Sequence, residues 1–203
     1  EKKYWQQKAS ATLDIIEPIN RDRYEFRTGF FNGGNAMQKQ LKNGNFYLGI
    51  AVLMMLVLFI SSSMTYQQQS QVGLIQRVLV NEPLKGFFSK ISFDYAGSEV
   101  SISAKGYVKF VEFFIRKGAH FMTYFILGGS LYLGLSPKLK QKSSVLGLYF
   151  AWMAATGYAA TDEFHQMLNG GRTPLFQDVM LDSFGALTAC LIIIVYQTIR
   201  KKR

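Results

Sequence analysis

Cysteine, histidine, proline and acidic residues are all scarce in this chain of 203 residues. Cys190 is the single cysteine, so an intrachain disulfide is impossible, and its position within an apolar run is typical of a small buried side chain. The chain has two histidines and no HExxH motif or comparable ligand spacing, so we predict no metal and no other cofactor. No GxSxG motif or Cys–His pair indicates a covalent nucleophile.

Acidic residues are outnumbered by basic ones, 13 to 23, which gives a formal net charge of +10. A nucleic-acid-binding module would gather its bases on one soluble face, often with aromatic residues between them. Here the bases lie at the ends of apolar runs instead: Lys39 and Lys42 before the first, Lys138, Lys140 and Lys142 between the second and third, and Arg200, Lys201, Lys202 and Arg203 after the last. We therefore predict no nucleic-acid partner.

Four apolar runs occupy Phe46–Met64, Ala119–Leu135, Ser143–Thr161 and Val179–Ile199. Helices of roughly 17 to 21 residues span about 25 to 31 Å, which matches a hydrocarbon core of about 30 Å. Hydrophobic residues make up 49% of the chain and aromatic residues 15%, which fits a membrane protein with polar loops. The sequence predicts an all-α, polytopic membrane bundle with four transmembrane helices.

The basic clusters also predict an orientation. If the chain crosses the membrane four times, all three clusters lie on one side, and short cytoplasmic loops are rich in Lys and Arg. Both termini are then cytoplasmic. The connection between the third and fourth runs, whose one strong base is Arg172, faces outward.

The runs divide the chain into a polar cytoplasmic segment (1–45), a first transmembrane helix (46–64), an external connection (65–117), a core of three helices (118–199) and a basic cytoplasmic tail (200–203). Met37 opens a short basic stretch followed by an apolar run, so residues 1–36 are either an upstream extension or a cytoplasmic tail. Ser61, Ser62 and Ser63 could form a signal-peptidase site, but we favour an uncleaved anchor.

The external connection contains two amphipathic stretches. Val72, Ile75 and Leu79 have helical spacing and precede Pro83, which predicts a short helix on the membrane surface. From Gly106 to Lys117, one helical face carries Val108, Val111, Phe114 and Ile115, and Glu112 and Arg116 form a helix pair. This stretch should lead directly into the second membrane helix.

Polar residues are unusually dense between Thr156 and Gly185: Asp162, Glu163, His165, Gln166, Arg172, Asp178 and Asp182. The other histidine, His120, lies at the edge of the second apolar run, and the spacing of Lys117, His120 and Tyr124 places them on one helical face. We interpret both stretches as one polar site at the outer edge of the membrane. Lys117 and Tyr124 alone would also fit a snorkelling lysine and an aromatic belt.

Small residues predict how the helices pack. Gly147, Ala151, Ala155 and Ala159 recur every four residues, and Gly185 and Ala189 form a similar pair, which allows close helix contact. Asp182 lies one turn deeper than Asp178, where an ionised carboxylate costs roughly 2.5 to 3.5 kcal/mol. It should therefore face the bundle interior and pair with Arg172, Lys117 or His120.

The ordered set of Lys117, His120, Asp162, Glu163, Gln166, Gly171, Arg172, Asp178 and Gly185 resembles the VanZ-like proteins, over roughly Lys105 to Ile199. This chain has Asn169, Gly170 and Gly171 where a proline–glycine pair is common in such proteins, and Asp182 where an asparagine often stands. The resemblance implies a small polytopic membrane protein of bacteria, linked to teicoplanin tolerance or to the cell envelope.

Two functions fit these residues. In the first, a satisfied polar network closes the bundle and binds an envelope lipid, a lipid-linked cell-wall intermediate or the glycopeptide; we favour this reading because no complete catalytic template is visible. In the second, the protein is an intramembrane enzyme: Lys117 and Arg172 hold a phosphate or anionic headgroup, and His120 with Asp162 or Glu163 performs acid–base chemistry.

Overall fold

A computed structural model describes residues 43–139, 144–170 and 173–202. Predictions about the N-terminal segment, Lys140, Lys142, Arg172 and Arg203 lie outside these residues. The described chain contains α1 (Asn45–Ser62), α2 (Tyr66–Gln69), α3 (Val72–Val78), α4 (Lys85–Phe88), β1 (Ser92–Tyr95), β2 (Ser98–Ser101), α5 (Ile102–Lys105), α6 (Tyr107–Leu135), α7 (Ser144–Gly170) and α8 (Phe176–Lys202).

The four long helices pack on one another, and α6 contacts α1, α7 and α8. Their contacts use the small residues that the sequence indicates: Ala151, Ala155 and Ala159 of α7 are no more than 1% exposed, and Ala189 of α8 is equally buried. The prediction that these residues serve close helix packing is confirmed.

Large apolar side chains lie on the outside of the bundle instead. Every long helix carries several that are at least 40% exposed, among them Leu53 and Ile60 of α1, Met122 and Ile126 of α6, Tyr149 and Phe150 of α7, and Ile192 and Val195 of α8. A water-soluble bundle would bury such residues and expose polar ones. These exposed apolar side chains fit a membrane protein.

Within the described residues, two helices are long and apolar enough to cross a membrane, at Asn45–Ser62 and Phe176–Arg200. The second and third predicted spans do not reach the same apolar content. Glycine, tyrosine, serine and threonine, which dilute the apolar runs of α6 and α7, have low hydropathy although they serve helix contact. The structure therefore shows a mostly helical protein with two candidate membrane helices.

The all-α prediction is wrong for one segment. Strands β1 and β2 form an antiparallel hairpin in which Tyr95 pairs with Ser98. Ala96 and Gly97 connect the strands with φ values of 54° and 76°, the left-handed backbone that tight two-residue turns require. Polar and aromatic residues alternate from Ser92 to Tyr95, but the residues after the Ala-Gly pair do not alternate, so the sequence contains only a weak hairpin signal.

The rest of the segment 65–117 is helical near both predicted stretches. Helix α3 lies where the spacing of Val72, Ile75 and Leu79 predicts one, and Ile75 is 4% exposed. Helix α6 begins at Tyr107 and continues into the bundle without a break. Its buried face at this end is formed by Tyr107 and Phe110, whereas Phe114 and Ile115 of the predicted apolar face are exposed.

Candidate functional site

A cavity of about 570 Å³ lies where the hairpin meets α6, the end of α7 and the start of α8. Six residues of the predicted site line it: Lys117, His120, Glu163, Gln166, Asp178 and Asp182. The other lining residues are Tyr95, Ala96, Ser98, Lys105, Lys109, Glu112, Phe113, Arg116, Thr173, Leu175 and Leu181. Segments far apart in the chain therefore contribute to one polar cavity.

Asp178 connects three elements at this cavity. Its Oδ1 accepts from Lys117 Nζ at 2.5 Å and from Tyr95 Oη at 2.5 Å. Lys117 Nζ also lies 4.9 Å from the centre of the Tyr95 ring, within cation–π range. The hairpin is thus held against α6 and α8 by a charge-assisted network. Burial raises the pKa of Tyr95, and the neighbouring Asp178 carboxylate raises it further.

His120 faces Asp182 one turn deeper in the cavity, with Nδ1 and Oδ2 separated by 3.5 Å. Asp182 is 4% exposed, as expected for an acid that faces the bundle interior. Of the two candidate partners that the structure describes, Lys117 and His120, it places His120 against Asp182. The structure thus pairs His120 with an acid of α8, in addition to Asp162 and Glu163 of α7, which the sequence suggests for acid–base chemistry.

Glu163 fixes the entry to α8. Its Oε1 accepts the backbone N–H of Leu175 at 2.8 Å, immediately before the first residue of that helix. Backbone N–H groups at a helix start lack intrahelical partners, so an acceptor from a neighbouring helix stabilises the turn. Glu163 therefore both lines the cavity and anchors the α7–α8 connection.

Asp162 and Tyr124 are buried behind the cavity and are not among the described residues that line it. Asp162 is 5% exposed, and its Oδ2 accepts from Gln166 Nε2 at 3.1 Å. Tyr124 is fully buried among apolar residues of the bundle. The alternative assignment of Tyr124 to an aromatic belt facing lipid headgroups is therefore wrong.

The two histidines occupy different environments, which contradicts our interpretation of a single site. His165 Nδ1 lies 2.8 Å from the Ser62 hydroxyl at the end of α1, and its Nε2 lies 2.5 Å from the Asn169 side chain. The ring stacks on Phe59 with 4.7 Å between centroids. His165 thus attaches α7 to the first membrane helix, whereas His120 faces the cavity.

Sequence reasoning missed a set of basic residues, Lys105, Lys109 and Arg116, and the tyrosine of the hairpin. Lys109 and Arg116 are seven residues apart, so both can lie on the cavity side of α6. Lys105 Nζ lies 5.5 Å from the centre of the Phe113 ring. The helical spacing of Lys109 and Arg116 could have predicted that they lie on one face of α6. No comparable signal predicts Tyr95, because it reaches the cavity through the hairpin.

Glu112 is a fully buried acid of the segment 65–117, at 2% exposure. Its Oε1 accepts from the Ser70 hydroxyl and from the Gln71 backbone N–H, both at 2.9 Å. Glu112 therefore fixes the start of α3 against α6. The sequence predicts only a pair with Arg116 on the same helix and does not predict this contact between helices.

The cavity has the groups to bind an anion and a histidine–carboxylate pair that could move a proton. Among the described residues, no group of three or more His, Cys, Asp or Glu side chains is arranged to hold a metal ion.

Comparison with known proteins identifies a family and nothing narrower. The family model described as VanZ/LLP1 matches residues 46–197, about three quarters of the chain. No curated protein and no solved structure matches. The match begins well before Lys105, so it includes the first membrane helix and the hairpin as well as the three-helix core. This chain belongs to the VanZ/LLP1 family.

Proposed function

We propose that this protein binds the anionic headgroup of an envelope lipid in the cavity, and that this binding serves glycopeptide tolerance or maintenance of the cell envelope. The ligand class includes lipid-linked cell-wall intermediates, whose phosphate groups suit lysine and arginine. Family membership is consistent with this role. The protein lies in the bacterial cell membrane with four spans, both termini in the cytoplasm and the cavity facing outward.

The observation that carries the proposal is the division of charge around the cavity. Each lining acid already has a protein contact: Lys117 and Tyr95 for Asp178, His120 for Asp182, Ser70 and Gln71 for Glu112, and Leu175 for Glu163. Two of these acids face a base, Asp178 with Lys117 and Asp182 with His120, whereas Glu112 and Glu163 accept neutral hydrogen bonds. Lys105 and Lys109 add further positive charge to the lining, and we expect an entering anion to meet these two side chains.

Three features support the four spans. Helices α6 and α7 have 29 and 27 residues, long enough to cross a bilayer. Both expose large apolar side chains outward, as described above. The Ser62–His165 contact makes α1 a packed part of the bundle, which favours an uncleaved anchor.

Binding can be tested with the whole protein in nanodiscs of neutral lipid, titrated with a lipid-linked phosphate. We expect saturable binding that Lys105→Ala combined with Lys109→Ala weakens at least about tenfold, since a hydrogen bond to a charged group contributes about 1.5 to 3 kcal/mol. Lys90→Ala, at an exposed position outside the cavity lining, is the matched control. Unchanged binding in the double variant would refute the proposal.

A second candidate function is an enzyme, favoured by the His120–Asp182 pair at the cavity wall. A carboxylate that orients a histidine is the usual arrangement of a general base. The same incubation reveals it: product formation that is lost in His120→Ala would indicate catalysis on the lipid-linked substrate. Saturable binding without product formation would instead support the binding function and exclude catalysis on this substrate.

The outward placement has its own test. In a Cys190→Ser background, a cysteine at Asn169 should react with an impermeant thiol reagent added to intact cells, and one at Lys140 should react only after permeabilisation. The opposite pattern would place the cavity on the cytoplasmic side and exclude an external ligand.

A further inference from the structure

Three buried oxygen atoms in or near the cavity wall have no hydrogen-bond partner among the described residues: Tyr124 Oη, Asp162 Oδ1 and Asp182 Oδ1. The three residues are 0%, 5% and 4% exposed. Leaving a buried polar group unsatisfied costs about 1 to 3 kcal/mol, and more for a charged one. Three such atoms from three different helices therefore call for a common explanation.

The packing places the three residues in one region of the bundle. Tyr124 belongs to the same buried cluster as Ala159 and Ala186. Ala159 precedes Asp162 by three residues and Ala186 follows Asp182 by four, so each acid shares a helical face with an alanine of that cluster. Asp162 also lies within electrostatic range of both His120 and Asp182. A polar cluster is thus buried between α6, α7 and α8.

The charges of this cluster do not balance when both acids are ionised. A protonated His120 compensates Asp182, whereas Asp162 has neutral hydrogen-bonding neighbours, the Gln166 amide and the Ser62 hydroxyl. An uncompensated carboxylate in the low-dielectric interior is strongly unfavourable. The neighbouring titratable groups are Lys117 on α6, Tyr158, Glu163 and His165 on α7, and Asp178 on α8, while α1 contributes the Ser62 hydroxyl.

Either a proton or a metal ion could supply the missing positive charge. No described group of three metal-ligating side chains is suited to an ion. A proton needs no such group. A carboxyl group that carries it becomes a donor, and one water molecule can accept from this group and from Tyr124 while donating to Asp182.

We propose that Asp162, Asp182 and Tyr124 form a buried site for one exchangeable proton and one bridging water molecule. The proton resides on Asp162. His120 and Asp182 line the cavity, so they provide the route by which the proton exchanges with the outside. This site does not depend on lipid binding. It links the protonation state of the buried Asp162 to the cavity through Asp182 and His120.

Infrared spectroscopy of the reconstituted wild-type protein tests this at neutral pH. We expect the carbonyl band of a protonated carboxylic acid, shifted in deuterated water because the proton exchanges. Asp162→Asn should abolish the band, and its amide keeps the size and hydrogen-bonding capacity needed for folding. Asp178→Asn, at the mouth of the cavity, is the matched control and should retain the band.

Two results would overturn the proposal. The first is the absence of a protonated carboxyl band in the wild type at neutral pH, a measurement that needs no variant. The second is a melting temperature that rises with sodium chloride but not with choline chloride at equal ionic strength, in wild type and not in Asp162→Asn, which would assign the site to a sodium ion.

Discussion

The packing end and the polar end of the helix bundle are held together by different physics. At the packing end, Gly134 approaches Leu48, and nearer the polar end, one helical turn along α8 from Asp182, Gly128 approaches Ala186; an added Cβ at either glycine would lie 2.6 Å from neighbouring atoms. At the polar end, α6 and α8 also meet through Lys117–Asp178 and His120–Asp182. The packing end depends on the absence of side chains, and the polar end depends in addition on charged side chains being paired.

This difference determines which amino-acid substitutions each end of the bundle tolerates. Close backbone contact in a lipid environment gains from dispersion and has no room for an extra atom. Paired polar groups accept a change of charge if hydrogen-bonding capacity remains, but not its removal. Substitutions at the two ends should therefore fail for opposite reasons, one through added volume and the other through lost polarity.

The largest effect is expected for Gly128→Ala. The new Cβ would lie 2.6 Å from Ala186 Cα and 2.7 Å from its backbone oxygen, and backbone atoms cannot move aside. Overpacking of this kind costs about 1 to 3 kcal/mol. Gly118→Ala, in the same helix but with no atom within 4 Å of the added Cβ, should instead keep or raise the melting temperature. Equal effects of the two would mean that close packing does not stabilise the bundle at Gly128.

Asp182 provides the second comparison. Asp182→Leu should destabilise the protein by about 1 to 3 kcal/mol, because His120 and any bound water lose their partner. Asp182→Asn preserves polar capacity and should be tolerated better in expression and in thermal melting. Indistinguishable melting temperatures for the two variants would argue against a buried polar network at this position.

The sequence predicts the packing end well because small residues at a spacing of four directly specify a helix face. Ala151, Ala155 and Ala159 are buried as that spacing requires. The polar end is predicted only as a set of residues. Which acid meets which base depends on the rotation and depth of each helix, and neither quantity is encoded in spacing alone. Only the structure shows that His120 contacts Asp182, one of the three acids that the sequence suggests for it.

Two further features of the site needed tertiary structure. His165 belongs to the dense polar stretch, but its ring faces Ser62 and Phe59 of α1, because the face of α7 on which it lies is set by the packing of the first helix. Tyr95 arrives through a hairpin outside the three-helix core. Length and hydropathy, which decide where helices lie, contain no information about either contact.

Lys117 and Asp178 form the pair that best tests the polar end. In a double-mutant cycle, Lys117→Ala and Asp178→Ala should be non-additive by something like 0.5 to 2 kcal/mol, because they share one 2.5 Å contact. Lys90→Ala combined with Asp178→Ala is the matched control and should be additive, since Lys90 is exposed outside the cavity lining. Additivity in both cycles would mean that the cavity charges act independently.

The smallest effect concerns the hydroxyl of Tyr95. Tyr95→Phe removes the hydrogen bond to Asp178 and should cost about 0.5 to 1.5 kcal/mol near neutral pH. Burial raises the pKa of Tyr95 above its ordinary value of about 10. As the pH rises through that ordinary value, the unfolded chain loses the phenolic proton while the folded protein keeps it, so wild-type stability falls.

The variant lacks this proton, so its melting temperature should decline less steeply than that of the wild type between neutral and strongly alkaline pH. The gap between them should therefore narrow above about pH 10. Tyr149→Phe, which alters an exposed ring on α7, controls for tyrosine replacement and for the lysines that titrate in the same range. If the gap stays constant across this range, the Tyr95 hydroxyl is not held against Asp178, and the hairpin contributes to the cavity only through its shape.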